Sequence, residues 1–269
     1  MLGDSLAMAD APAGSEPTVA LERLLIGDVS AEGASALVRR AGIPVDGDLF
    51  CMVIFTGGAS PVDLARAVDS QARPLSASSC VCILNETVVL VAGCRELTDV
   101  QALRLVERLA RDWPDISAGI GSHRSPADIE KSWRDALRTH ALRSMMGSPR
   151  TAVAHDAALL LALADMPSSW VDRAGFHGAN LRRVVGDVGS RDWDFLEAYL
   201  EERSLRKAAA RVFLHHTSLD ARLRRVSEEL GVDLMDPGIQ FELLLMMRVL
   251  RVESLLARLD SGVLSSWAS

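Results

Sequence analysis

The stretch "SLRKAAARVFLHHTSLDARLRRV", Ser204 to Val226, concentrates the side chains best suited to holding a large anion. Between residues 206 and 225 the cations are Arg206, Lys207, Arg211, Arg222, Arg224 and Arg225, and Asp220 is the one acid among them. Guanidinium groups present a planar fork of donors that matches phosphate oxygens, and clustered cations on one face form the electrostatic footprint of a nucleic-acid surface. Four short polar side chains, His215, His216, Thr217 and Ser218, sit in the middle of the cluster. A solvated basic face on an ordinary helical packing unit is the plainer reading of the same residues.

Other reactive groups point to less. The cysteines Cys51, Cys80, Cys82 and Cys94 all fall in apolar, strand-like runs. Cys80 and Cys82 would share one strand face, a spacing unlike that of structural zinc ligands, so all four are expected to be small buried hydrophobes. No Ser/His/Asp or Cys/His set is suggested by spacing. His215 and His216 are expected to diverge as neighbours on a helix, which makes a metal pair unfavourable. The Gly57-Gly58 loop ahead of a helix could cradle a phosphate or simply turn the chain.

The elements that would position the basic cluster are legible. Phe195, Leu196, Tyr199 and Leu200 mark one face of a helix. Ser204 stands where the next helix would be capped, and Leu205, Ala208, Ala209 and Val212 form its inward face. Small alanines allow a third helix to cross closely. After a short turn at Phe213 to His215, that third helix is expected over His216 to Leu230. Leu219, Leu223, Val226 and Leu230 recur at helical spacing, and Gly231 supplies the stop.

The earlier part of the chain has a different texture. Helical patterning over Val19 to Leu25 and Ala34 to Arg40 precedes "LFCMVIF", an apolar run that reads as a strand covered on both faces. A helix begins at Ser60, Pro61 and Asp63, and Ser125, Pro126 and Asp128 repeat that start signal. "SCVCILNETVVLVAG" reads as a hairpin turning at Asn85-Glu86, "DVQALRLVERLARDW" as an amphipathic helix and "ISAGIG" as a strand. Strand, helix, hairpin, helix and strand in this order make a ferredoxin-like or palm-like α/β layer. Beyond about Ala157 "AALLLALADM" is helical, and Pro167 to Arg191 reads as a loop-prone connection.

Composition sets the outer limits. With 269 residues, 49% apolar residues, 24% charged residues and a formal charge of −7, the chain is globular and not coated in basic surface. Nucleic-acid contact must then come from a local patch. The densest apolar runs fall short of the roughly 18–20 residues a membrane crossing needs. "MLGDSLAMADAPAGSEPT" lacks the charged and apolar regions of an export signal, which implies a polar tail and a cytoplasmic protein.

The segment Trp193 to Leu250 resembles the C-terminal helix-turn-helix of the PucR/CdaR family of bacterial transcriptional regulators. The resemblance rests on the Leu-x-x-Tyr-Leu opening, the paired alanines and the His after the turn. It continues through Arg222-Leu223, Leu230-Gly231 and Asp236-Pro237. "ISAGIGSHRSPADIEKSWRDALRTHAL" looks like the end of the GGDEF-like domain that usually precedes it. The implied fold class is α+β, a degenerate GGDEF-like α/β domain followed by an all-α helix-turn-helix domain. The expected organisation is a disordered tail over 1–18, the GGDEF-like domain over 19–165, a connection over 166–190 and the helix-turn-helix domain over 191–269. The last of these ends in an apolar helix over Ile239 to Leu259, which must be covered by the first domain or by a second chain.

The resemblance implies duplex DNA as partner; a homodimer, whose two-fold pair would read two half-sites, and a small-molecule effector are expected with it. Arg206, Lys207, Arg222, Arg224 and Arg225 are expected on phosphates, with His215, His216, Thr217 and Ser218 near bases. Departures accompany it. The family runs His-Arg-Asn-Thr where this chain has His215-His216-Thr217-Ser218, and Asp220-Ala221 replaces a basic residue and an aromatic. Asp220 could repel phosphate, accept from a cytosine amino group, or pair with Arg224 one turn away. Altered specificity is expected rather than lost binding, and a protein-interaction or effector-sensing module with a decayed DNA face is the rival reading. At the hairpin, Asn85-Glu86-Thr87 stands in place of the metal-binding signature of true GGDEF domains, and the strand "LFCMVIF" carries no acid. A lone Glu86 cannot hold two hard cations, so no catalysis and no cofactor are expected.

Overall fold

A computed structural model describes residues 16–26, 29–43, 47–76, 79–147, 150–166 and 176–259. Packing divides the chain into two compact units, one running to Leu161 and the other spanning Ala162–Arg258. Most of the expected polar tail lies outside the described residues, and Glu16 to Thr18 already belong to the first helix.

The first unit is a five-stranded sheet dressed with helices. Its elements are α1 (Glu16–Ile26), α2 (Ala31–Arg40), β1 (Leu49–Phe55), α3 (Pro61–Ala72), β2 (Cys80–Leu84), β3 (Thr87–Gly93), α4 (Asp99–Leu109), β4 (Ser117–Ile120), α5 (Ile129–Leu142) and β5 (Thr151–Val153). The order across the sheet is β2-β3-β1-β4-β5, with β1 antiparallel to β3 and β4, and β5 parallel to β4. The first four strands have the ferredoxin-like arrangement expected. The edge strand β5 was not legible, because three residues are too few to show a period.

Covering on both faces explains the unbroken apolar run of β1. Phe50, Met52 and Ile54 pack with Leu64 and Val68 of α3 and Leu105 and Leu109 of α4. On the opposite face the Cys51 amide donates to Ser132 Oγ of α5 at 2.9 Å. Cys51 and Cys80 both pair with Val91 of β3, so they lie in one row across the sheet, and burial raises the Cys51 thiol pKa. The glycines of "ISAGIG" let α5 cross close to β4. A Cβ at Gly119 would stand 2.0 Å from the Ala136 carbonyl oxygen, and one at Gly121 would stand 1.9 Å from that of Ser132.

Start signals worked unevenly. Ser60 Oγ accepts from the Asp63 amide at 3.4 Å as expected. Ser125 does not repeat this role: it heads a single 3-10 turn, and its hydroxyl donates to the Asp128 carboxylate at 3.1 Å.

The second unit is helical: α7 (Phe176–Val185), α8 (Arg191–Glu202), α9 (Leu205–Arg211), α10 (His216–Leu230) and α11 (Pro237–Leu259) follow α6 (Ala158–Ala164), which spans the division. Helix α7 corrects the reading of Pro167 to Arg191 as a loop-prone connection. Gly178 and Gly186 read as breakers, but Leu181 and Val185, one turn apart, are fully buried and hold the helix. Residues 167–175 of that stretch lie outside the described ones.

Candidate nucleic-acid interface

Three helices form the scaffold of the basic cluster. Ser190 caps α8 by accepting from the Trp193 amide at 3.3 Å. Trp193, Phe195, Leu196, Tyr199 and Leu200 are buried along α8, and Arg203 ends it in the left-handed conformation with φ 49°. Ser204 occupies the cap position of α9 without making a side-chain cap bond, contrary to the role its residue type suggests. Ala208 and Ala209 are buried, and α9 packs on both α8 and α10. Leu219, Leu223, Val226 and Leu230 are the buried residues of α10, and Gly231 closes it at φ 66°.

The turn between α9 and α10 holds the chain in an unusual way. Leu214 donates its amide to the Ala209 carbonyl at 2.9 Å, which places Phe213 at the left-handed position that ends a helix. Glycine is usual there, yet here a phenylalanine adopts φ 56° with its side chain 94% exposed. The sequence located this turn but gave no sign that an aromatic would stand on its outside.

His215 is the residue before α10, with extended backbone at φ −71° and ψ 141°. The expectation that His215 and His216 diverge is therefore wrong: their ring centroids are 4.2 Å apart. His215 Nδ1 lies 2.8 Å from Thr217 Oγ1. Among the described residues no group of three or more His, Cys, Asp or Glu is placed to hold a metal ion. His215, His216, Thr217 and Ser218 are all exposed at the start of α10.

The cations divide into two kinds. Arg206 and Lys207 are exposed on α9, and neither forms an ion pair among the described residues. The others are engaged by acids of the same chain. Arg222 Nη1 lies 3.2 Å from Asp192 of α8, and its guanidinium stands 4.9 Å over the Phe195 ring. Arg224 pairs with Asp220 at 2.8 Å, and Arg225 with Glu229 at 2.7 Å. Arg211 pairs with Glu201 and lies 3.8 Å from Glu202. The local positive excess is thus smaller than the window 206–225 suggests, because Asp192, Glu201, Glu202 and Glu229 lie outside it.

These pairs remain wet. The side chains of Arg224 and Arg225 are each 75% exposed. Exposed pairs one turn apart contribute only about 0.3–0.5 kcal/mol, so a phosphate can replace the carboxylate at little cost. Arg222 is different: with Asp192 and Phe195 it pins α10 to α8.

Behind this face lies a tighter ionic network. Glu197 is 4% exposed, and Arg251 Nη1 reaches both of its oxygens at 2.5 Å. Arg248 lies 3.6 Å from Glu197 and also pairs with Glu201. The apolar last helix behaves as its composition requires. Leu243, Met246, Met247, Val249, Leu250 and Val252 of α11 are buried within this one chain, while Phe241 remains 63% exposed.

The first unit contains the element where a metal site would have been sought. The β2–β3 hairpin turns at Asn85 and Glu86, with φ 40° and 58°. This is the hand of a two-residue turn that normally prefers Asn-Gly. At the other loop, a Cβ on Gly57 would meet the Asp115 carbonyl oxygen at 2.3 Å. Gly57 thus serves close chain packing.

A mixed α/β sheet unit followed by a helix-turn-helix defines a two-part regulator architecture. Family models locate both parts: one for the GGDEF-like domain matches residues 27–142, and one for the PucR C-terminal helix-turn-helix domain matches residues 193–249. The chain belongs to the PucR family and is a DNA-binding transcriptional regulator with a GGDEF-like domain ahead of its helix-turn-helix. No protein of curated function matches it. Among solved structures, a regulator of polyketide synthase expression from Bifidobacterium adolescentis is similar over 88% of this chain and 92% of its own. At 17% identity and a TM-score of 0.42 it is too distant to carry any property across.

Proposed function

We propose that α10 enters the major groove of duplex DNA at its N-terminal end, where His215, His216, Thr217 and Ser218 approach base edges. Arg206 and Lys207 hold phosphates from α9. Arg225 joins them by exchanging its carboxylate partner for phosphate, Arg224 stays with Asp220 and offsets its charge, and Arg222 contributes mainly by fixing the recognition helix. The observation that carries this reading is the exposed polar row at the start of α10 flanked by two cations without an ion partner among the described residues. Asp220 is neutralised by Arg224 at 2.8 Å, which removes most of the objection that a carboxylate here would repel DNA.

The GGDEF-like domain serves regulation or self-association and not catalysis. Its hairpin offers Glu86 alone, and β1 has no acid to share a metal with it. The regulator works in the cytoplasm as a homodimer, since two recognition helices related by a two-fold axis read two half-sites. The burial of α11 within one chain removes the need for a second chain to cover it, so the dimer rests on this symmetry argument. An effector that tunes DNA affinity fits the same reading.

One observation favours the rival, a protein-interaction module with a decayed DNA face: Arg211, Arg222, Arg224 and Arg225 all have acidic partners in the chain. Selection of bound fragments from genomic DNA separates the two. The regulator enriches a common sequence, and His216→Ala with Thr217→Ala blurs it by about 1–3 kcal/mol of discrimination at the positions they read. Enrichment of no sequence by the unaltered chain would favour the rival.

A further inference from the structure

A cleft of about 480 Å3 lies within the helical unit, between the end of α8, the start of α9, the middle of α10 and the loop Asp233 to Met235 ahead of α11. Small-molecule sites run from about 300 to 1,000 Å3 and combine an apolar lining with a few placed polar groups. Tyr199, Leu205, Leu223 and Leu234 supply the apolar part here. Met235 forms one edge although it is 73% exposed, and the Tyr199 hydroxyl donates to its Sδ at 3.2 Å. A methionine held this loosely is an adaptable wall that can repack over an apolar guest.

The charges around this lining are unevenly satisfied. Asp220 and Arg224 pair at 2.8 Å and offset each other. Arg203 and Asp233 also line the cleft, and both are exposed. Neither forms an ion pair among the described residues, with the other or with any third group. One oxygen of Asp233 accepts from the Met235 amide at 2.8 Å, which anchors the carboxylate and leaves its second oxygen available. Burial and the nearby charges of Asp233 and Asp220 raise the Tyr199 pKa, so the Asp233 carboxylate stands on the Tyr199 side of the cleft. A cation and an anion thus share one apolar floor without meeting. A ligand with a single charge would suit one of them and be repelled by the other, whereas a zwitterion gives each a charge-assisted partner.

We infer that this cleft binds a free α-amino acid with an apolar side chain. The ligand carboxylate accepts from the Arg203 guanidinium, and its ammonium donates to the second oxygen of Asp233. Its side chain lies on Tyr199, Leu223 and Leu234 beneath Met235. The inference concerns ligand binding and stands whether or not the helix-turn-helix reads DNA as proposed.

L-Phenylalanine is the probe, compared with 3-phenylpropionate, which lacks its ammonium, and 2-phenylethylamine, which lacks its carboxylate. Tyr199 is the one tyrosine of the chain, so carbon-13 labelling of tyrosine rings places a single reporter in the cleft of the full-length protein. Titration with L-phenylalanine is expected to move the Tyr199 signal along a saturating curve, with a dissociation constant on the order of a millimolar for a molecule this small. Each truncated probe should bind roughly tenfold more weakly, the loss of one charge-assisted contact. Arg203→Gln and Asp233→Asn should each weaken L-phenylalanine by a similar factor, and Asp233→Asn should remove its advantage over 3-phenylpropionate. If a variant fails to fold, the comparison of the three probes on unaltered protein still decides the matter. A Tyr199 signal that stays fixed in L-phenylalanine on the order of 50 mM, an equal response to either truncated probe, or unchanged affinity in either folded variant would overturn the assignment.

Discussion

Inside the first unit His140 is held neutral. Burial lowers its pKa to about 3, while its ring stacks on Phe55 at 3.6 Å and Nε2 lies 2.8 Å from Ser117 Oγ. The unfolded chain takes up a proton near the ordinary value of 6.5, which the folded chain refuses until about pH 3. Stability from this residue is therefore complete above the ordinary value and lost as pH falls through the interval, at up to about 1.4 kcal/mol per pH unit. Urea unfolding at pH 7 and pH 5 should show this loss, and His140→Gln should flatten it. An equal slope in both proteins would contradict the assignment. Phe213 makes the opposite case, a residue whose place serves nothing in the folded chain. Phe213→Gly removes left-handed strain of roughly 1 kcal/mol and no buried contact, so thermal unfolding should change little or move upward. A fall of more than about 1 kcal/mol would mean the exposed ring packs on something in solution.

At the scale of helices, the network around Glu197 joins α8 to α11. Glu197→Ala removes the buried acceptor that Arg251 and Arg248 share and should cost on the order of 2 kcal/mol, while Glu197→Gln should cost less. Chemical denaturation measures both, and a loss under about 1 kcal/mol for the alanine variant would show that the network is replaceable. Apolar spacing made the elements readable: Leu219, Leu223, Val226 and Leu230 predict the buried face of α10, and "LFCMVIF" predicts a strand covered twice. Ion pairing escaped the sequence, because the partner of Arg222 is Asp192, thirty positions earlier on another helix. The pairing of Arg224 with Asp220 was readable, since it lies within one helical turn. Capping was read from residue type alone, which succeeded at Ser60 and failed at Ser204, where backbone direction decides. The close approach of the His215 and His216 rings was missed for a related reason, as His215 precedes the helix rather than sitting in it.

For the whole molecule, the excess of acids over bases confines DNA contact to the few residues of α9 and α10. A protein of net charge −7 gains little from diffuse attraction, so its affinity must track the local phosphate contacts. Those contacts are countable through released counterions. The most direct measurement is the dependence of DNA affinity on salt for the unaltered chain and for Arg206→Ala with Lys207→Ala, each on a fragment recovered by genomic selection. The account predicts a steep fall of log K with log salt for the unaltered chain, and a slope shallower by about 2 for the double variant. Identical slopes in the two proteins, or no binding by the unaltered chain even at low salt, would contradict it.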